Sequence, residues 1–336
     1  MTEIAGGNPS TNSRPFSPIE WRTATLYGDL WPRYDDPLFW QSVDLFSQRW
    51  LANGEDPNFF RGKRCLDIGC GGGRYSFAMA LMGAENVVGV DLSRAGLNDA
   101  QRRCEAKHLS HVRFVHGSAL NLPLPENEFD FVCCSGVLHH TLSVEKGLRE
   151  IYRVLKPGGS TYLLLYGSGG LFWPLNSLLR TFATLIGERA LSATIDYIGS
   201  APNKRRVFLD DVFVPILETY SLERVAQLLR EVGFSSWREW STARMDHEED
   251  ASALIAEMED RSRLWQMGAI HSSDPTKSTI QFHCANICRN VIAAARDLEE
   301  QHRAGRITEE QLRLTLIGEG HHRVIARKEY PEISAI

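Results

Sequence analysis

Two features of this sequence are placed to do chemistry together. The run Asp67-Ile68-Gly69-Cys70-Gly71-Gly72-Gly73 directly follows a short apolar stretch, Arg64 to Ile68. Glycines allow a tight turn there and let the backbone come close to a bound ligand. Asp91 closes the next apolar run, Val87-Val88-Gly89-Val90. A carboxylate at such a strand end can accept hydrogen bonds from both hydroxyls of a ribose. The glycine run alone is a weak signal, because an unliganded turn would look the same. Strand, loop and helix followed by strand and acid is a much stronger one, and it points to a nucleoside. The G-x-G-x-x-G spacing of dinucleotide-binding oxidoreductases is not met, since position 74 is Arg.

Other residues could move a proton or hold a reactant. His139 and His140 follow a fourth apolar run, where a histidine could take a proton from a hydroxyl or amine. The plainer reading is that one orients the loop and the other packs on the next helix. Tyr166 ends a fifth run, just before Gly167-Ser168-Gly169-Gly170, and offers a hydroxyl or a ring face at the same edge. Ordinary packing at a strand end is its alternative. Tyr27, Trp31 and Tyr34 form an aromatic group that reads equally as a lid or as core. Asp210 and Asp211, near Arg205 and Arg206, read best as a surface ion-pair cluster, although they could bind a cation. Cys284 and Cys288 share a helix face beside His283. No second pair at zinc-ligand spacing follows, although His321-His322 lies downstream, so packing cysteines are expected and no metal.

The elements that must position these groups are legible from periodicity. Arg64–Ile68, Val87–Val90, Val112–Val115, Phe131–Cys134 and Thr161–Tyr166 read as strands, with helical patterns between several of them. Leu148, Ile151, Tyr152 and Leu155 mark one helix face, which Lys156-Pro157-Gly158-Gly159 stops. Ser221 caps another helix that Gly233 ends, followed by a strand over Phe234–Thr242. His322–Arg327 reads as the last strand. Upstream, Asp36-Pro37 starts a helix, with Asp36 as N-cap, that carries Phe39, Val43, Phe46 and Trp50. Buried runs alternating with helices predict an α/β fold with a doubly wound, mostly parallel sheet. The expected organisation is a tail over 1–20, a helical lid over 21–60, a nucleoside-binding core over 61–166 and a cap insertion over 167–220. The core resumes over 221–244, a second helical insertion spans 245–320, and 321–336 holds the last strand and tail. The second insertion is long enough to cover a pocket or to mediate a homodimer.

Between about Arg61 and Tyr166 the chain resembles the class I S-adenosylmethionine (AdoMet)-dependent methyltransferases, in motif order and spacing. Asp67, Gly69, Gly71 and Gly73 resemble their first motif and Asp91 their second. Gly117-Ser118-Ala119-Leu120-Asn121-Leu122-Pro123-Leu124-Pro125 resembles the third, beside the adenine. Phe129 to His140 resembles the fourth, and Glu150 to Gly159 the helix and turn before the fifth strand. The resemblance implies a Rossmann-like seven-stranded sheet with an antiparallel closing pair, for which Phe234–Thr242 and His322–Arg327 are candidates. It implies AdoMet as cofactor, held by Asp67, Gly69, Gly71, Gly73, Asp91, Leu92, Ser118, Ala119 and Ser135. Many members carry an acid at the third motif that holds the adenine amino group; here Ser118 stands in its place, and its hydroxyl or the Ala119 backbone can serve. Tyr166, His139, His140 and Tyr27 are the candidates for orienting reactants or taking a proton.

Bulk properties narrow the alternatives. The 336 residues carry a net charge of −5 and no basic stripe, so strong nucleic-acid binding is not suggested, and Lys204-Arg205-Arg206 reads as a solvated loop. No apolar run approaches the roughly 18–20 residues that span a membrane, and no apolar run follows Met1–Pro18 as in a signal peptide. Seven scattered cysteines do not form a disulfide framework, which suits a reducing cytoplasm. The expected activity is methyl transfer to a small or medium-sized molecule, with Leu171, Phe172, Trp173 and Leu175 as candidate pocket walls; natural-product or saccharide intermediates fit. One alternative keeps the cofactor but uses its aminocarboxypropyl arm, as a cyclase or lyase releasing methylthioadenosine. Another is an AdoMet-binding partner protein without catalysis.

Overall fold

Along the central strands, neighbouring residues face opposite ways and both faces are apolar. Cys65, Val87, Phe131, Cys133 and Tyr162 look to one side, whereas Leu66, Val88, Val132, Cys134 and Leu163 look to the other. Strands buried on both faces require helices on both faces. The computed structural model describes residues 16–28, 34–199, 208, 211–240 and 251–330. Trp31, Lys204-Arg205-Arg206, Asp210 and the expected strand end at Thr242 lie outside the described residues.

The strands are β1 (Arg64–Ile68), β2 (Asn86–Asp91), β3 (Val112–His116), β4 (Phe129–Ser135), β5 (Leu155–Tyr166), β6 (Ser236–Glu239) and β7 (His321–Arg327). They form one sheet in the order β3-β2-β1-β4-β5-β7-β6. The first five are parallel, and β7 runs antiparallel to both β5 and β6. The doubly wound seven-stranded α/β architecture expected from the sequence is therefore the one observed. The strand expected over Phe234–Thr242 is confined to Ser236–Glu239; Phe234 leaves the ladder and is buried in the core instead.

On one face lie α2 (Asp36–Ala52), α3 (Arg74–Leu81) and α4 (Arg94–Ala106); on the other lie α5 (Val144–Val154) and α8 (Leu222–Val232). Phe39, Val43, Phe46 and Trp50 of α2 are all almost fully buried. Each contributes roughly 1.5–3 kcal/mol by transfer out of water. The N-cap of α2 is Asp35, which accepts a hydrogen bond from the Leu38 amide, rather than Asp36. Asp36 sits one residue inside and pairs instead with the buried Arg103 of α4. Helix α1 (Pro18–Gly28) also starts earlier than expected, since Pro18, Ile19 and Glu20 belong to it rather than to a tail. Ser17 and Glu20 hold that start: the Glu20 carboxylate accepts from the Ser17 amide, and the Ser17 hydroxyl oxygen accepts from the Glu20 amide.

Two segments far apart in sequence build one cap. Helices α6 (Phe172–Ile186) and α7 (Glu188–Ile198) follow β5, whereas α9 (Ala251–His271), α10 (Pro275–Arg303) and α11 (Glu309–Leu316) precede β7. Leu179, Ile195, Met258, Trp265 and Leu316 share a hydrophobic core there, and Leu26 of α1 joins it. Cys284 and Cys288 are buried in the same core, the packing role expected of them. Arg261 lies at its heart, 2% exposed, bonded to Asp211, Glu257 and Asn176. Burial would lower the Arg261 guanidinium, but the Asp211 and Glu257 charges outweigh that and keep it ionised. Asp211 is therefore a buried cap residue, 4% exposed, and not part of a surface cluster. Its partner comes from α9, which local sequence could not indicate.

Candidate active site

After β3 the chain crosses over β1 to form β4, so the loops leaving β1 and β4 diverge at the carboxyl edge of the sheet. A crevice opens at such a switch point, and ligands of open α/β sheets bind there. A cavity of about 750 Å³ occupies it in this chain. That falls within the roughly 300–1,000 Å³ typical of small-molecule sites.

One half of the cavity lies over β1, β2 and β3. Gly69, Asp91, Leu92, Ser118, Ala119 and Ser135 line it. Asp91 is held by two backbone donors: Oδ2 accepts from the Gly71 amide at 2.8 Å and Oδ1 from the Ser93 amide at 2.7 Å. Each oxygen keeps a second lone pair for a ligand hydroxyl. Burial raises the Asp91 carboxyl above its usual range, with the Ser93 and Gly71 hydrogen bonds opposing that rise. The Gly69 and Cys70 amides both donate to the Val90 carbonyl, at 2.7 and 3.1 Å. The glycine loop's donors thus fasten β1 to β2 and aim Asp91.

The remaining first-motif residues stand behind the wall. Asp67 is 1% exposed, and its Oδ2 accepts from the Ser76 hydroxyl at 2.7 Å. Burial pushes its carboxyl up to about 7, only partly offset by that bond. Gly73 ends the turn with φ +89° as the N-cap of α3, where a Cβ would press on Phe77, Phe114 and Ala100. Asp67, Gly71 and Gly73 do not line the cavity; they shape the loop that does.

The other half lies over β4 and β5, under the cap. Tyr27, His140, Tyr166, Phe172, Trp173 and Leu254 line it. The Tyr166 ring is sandwiched, with His139 stacked at 3.8 Å on one side and Trp173 at 4.9 Å on the other. His139 is fully buried and does not line the cavity. Burial, reinforced by His140 and His321 nearby, holds its imidazole well below the ordinary value, so it is neutral. His140 does reach the cavity. Its Nδ1 lies 2.9 Å from the Ile216 carbonyl. A carbonyl can only accept, so Nδ1 carries a proton and donates in this contact.

The expected lid residues Tyr27 and Tyr34 both border the cavity. Several further lining residues escaped the sequence reading, among them Glu20 and Thr23 of α1, Gln41 and Arg49 of α2, and Glu257 of α9. Glu20 had a local signal, since Ser17 and Glu20 have the S-x-x-E spacing of a helix start. The others had none, because their part depends on how α2 and α9 dock. Among the described residues, no group of three or more His, Cys, Asp and Glu side chains is arranged to hold a metal ion. No helix among them is long and apolar enough to cross a membrane.

A family model described as "Methyltransferase domain" matches residues 66–163. Demethylmenaquinone methyltransferase of Geobacillus kaustophilus is 37% identical over 185 residues, which is 53% of this chain and 73% of the relative. The enzyme of the same name from Anoxybacillus flavithermus is 29% identical over 191 residues, 53% of this chain and 72% of that one. The alignments with two other Geobacillus relatives span 47% and 50% of their lengths. Among solved structures, Haemonchus contortus phosphoethanolamine N-methyltransferase 2 in complex with S-adenosyl-L-methionine gives a TM-score of 0.47 at 19% identity, over 91% of this chain and 57% of that chain. The matched family segment runs from β1 through most of β5, the part of the sheet that carries the glycine loop and Asp91, and the chain belongs to the class I AdoMet-dependent methyltransferases.

Proposed function

We propose that the chain methylates a small or medium-sized molecule seated beneath the helical cap, with natural-product and saccharide intermediates as candidate acceptors. The observation that carries this reading is continuity: one cavity runs from Asp91 and Ser118 to Tyr166 and Trp173. It has room for a nucleoside at one end and a second reactant at the other. The lining suits the nucleoside. Asp91 offers carboxylate lone pairs, and Ala119 and Gly136 add little bulk to the wall. A Cβ added at Gly136 would meet nothing within 4 Å and would project into open space.

Asp91 would hold the ribose, with Gly69, Leu92, Ser118, Ala119 and Ser135 around the rest of the cofactor. The chemistry bound AdoMet brings is an electrophilic methyl carbon on a sulfonium. The protein's own part is to align an acceptor with it and to exclude water. Tyr166, locked between two rings, is the rigid surface against which an acceptor is positioned. His140, which borders the cavity, is the candidate to take a proton when the acceptor is a hydroxyl or amine. The cap excludes solvent, and its buried Arg261 network keeps the roof fixed over the acceptor.

The test is incubation with AdoMet, with and without a panel of acceptors that includes the demethylmenaquinone for which the relatives are named. The expected product is S-adenosylhomocysteine, formed only with acceptor. Methylthioadenosine released without acceptor would instead place the reaction on the aminocarboxypropyl arm and refute the proposal.

A further inference from the structure

Helix α1 carries a carboxylate into the nucleoside half of the cavity from outside the sheet. Ile19, Glu20, Thr23, Ala24 and Tyr27 recur at helical spacing and line the cavity as one face. Glu20 sits at the β3 end of that face. Its Oε2 accepts from the Ser17 amide and hydroxyl at 2.8 and 2.9 Å, which completes the cap of its own helix. Its Oε1 turns the other way and accepts from the Ser118 hydroxyl at 2.5 Å, across to the loop after β3. A carboxylate serving only as a helix cap would leave that second oxygen in water.

The direction of the bound nucleoside follows from the sheet. Asp91 stands on β2, and the aromatic and histidine cluster stands on β4 and β5. A ribose on Asp91 with its reactive arm toward Tyr166 must point its base toward β3. There the wall is Gly117, Ser118, Ala119 and Glu20. The Ser118 hydroxyl already donates its hydrogen bond to Glu20, and its oxygen accepts from the Leu120 amide at 3.1 Å. Glu20 Oε1 retains a lone pair. Burial alone would raise the Glu20 carboxyl, but the hydrogen bonds from Ser118 and Ser17 and the charge of Lys146 outweigh it and hold it below the usual range. An ionised acceptor binds an N–H donor more strongly than a hydroxyl oxygen does.

We infer that Glu20, delivered by α1 and latched to Ser118, is the acceptor that recognises the exocyclic amino group of the adenine. The base-reading group thereby comes from the lid rather than from the sheet. Cofactor binding and the seating of α1 are then one event, because Leu26 of the same helix is buried in the cap core. This rests on the AdoMet site proposed above.

The experiment measures binding by calorimetry, without turnover, for S-adenosylhomocysteine and for S-inosylhomocysteine, which has a carbonyl oxygen in place of the amino group. The unaltered chain and Glu20→Gln are compared. Glutamine preserves the S-x-x-E/Q helix cap, so the fold of α1 is kept, and thermal melting checks this. The unaltered chain is expected to prefer the adenosyl ligand by more than about tenfold, the size of one charge-assisted hydrogen bond. In Glu20→Gln that preference is expected to shrink by about tenfold, chiefly through weaker adenosyl binding. Equal affinity of the unaltered chain for both ligands, or an unchanged preference in Glu20→Gln, overturns the inference and leaves the AdoMet site standing. Failure of the unaltered chain to bind either ligand overturns the site and the inference together.

Discussion

Asp91→Asn is the sharpest perturbation of the site, because the structure specifies what each carboxylate oxygen does. Oδ1 and Oδ2 each accept one backbone N–H, from Ser93 and Gly71. An asparagine keeps one oxygen and replaces the other with a donor. One loop amide then faces an N–H₂ group and loses its partner, at about 1–3 kcal/mol. Removing a half-buried carboxylate gives some of that back, since burial disfavours its charge. Net stability should therefore fall by no more than about 2 kcal/mol. Ligand affinity should fall further. One of the two ribose hydroxyls loses a charged acceptor, worth about 1.5–3 kcal/mol, and the loop that forms the adjacent wall is loosened. A combined loss of about 3 kcal/mol corresponds to roughly 150-fold in Kd. Calorimetric titration with S-adenosylhomocysteine reads the affinity, and urea unfolding reads the stability. A folded Asp91→Asn that binds within threefold of the unaltered chain would refute the ribose assignment and leave Asp91 as a loop fastener.

Four other outcomes test separate parts of the structure. The stacked Tyr166 ring is the positioning surface, so Tyr166→Ala should lower turnover about 10- to 100-fold with cofactor affinity unchanged, whereas Tyr166→Phe, which keeps the stack, should stay within about threefold; an equal loss in both variants would move the role from the ring to the hydroxyl. Gly69→Ala places a Cβ 2.9 Å from Val137 Cγ1 and nearer still to Cγ2, at φ +67°. It should cost roughly 2–4 kcal/mol, and adding Val137→Ala should recover the crowding part but not the backbone strain, as read by thermal melting of all three variants. Asp67 binds its proton more tightly folded than unfolded, because burial raises its carboxyl from 3.8 to about 7. Stability should therefore fall as pH rises from about 4 to about 7 and level off above that; urea unfolding across that window should show the slope flattened in Asp67→Asn. Arg261→Met leaves Asp211 and Glu257 without their cation inside the cap. It should cost about 3–5 kcal/mol, whereas a variant as stable as the unaltered chain would mean that this network does not hold the roof.

The core of the fold was legible because its determinants are local. Strand burial follows from runs such as Val87–Val90 and Phe131–Cys134, helix ends from Ser221 and Gly233, and the parallel sheet from their alternation, but Leu155 and the expected Lys156–Gly159 turn belong to β5, which starts directly after Val154. The boundary misses have tertiary causes. Asp35 and Asp36 are adjacent acids, either able to cap α2, and the choice went to Asp35 because Asp36 is taken by Arg103 of another helix. Phe234 reads as a strand residue by type, but it packs into the core beneath α5 and α8 instead of pairing in the ladder.

The site divides along the same line. That Asp91, Gly69 and Tyr166 would stand at the cavity could be read from the chain alone, because each lies at or directly after a strand end and the strand ends define the ligand edge. His139 and His140 could not be told apart. Neighbours in sequence, they differ in whether the ring faces the cavity or the back of Tyr166, and only docking of the His139 ring onto Tyr166 settles that. Glu20 meets Ser118 from 98 residues away, and Arg261 meets Asp211 from 50. Sequence periodicity sets which face of an element is buried, and it set the sheet and its glycine loop here. It carries no information on which buried face meets which, so the lid carboxylate, the single cap made from two insertions and the cavity beneath it were decided by tertiary packing.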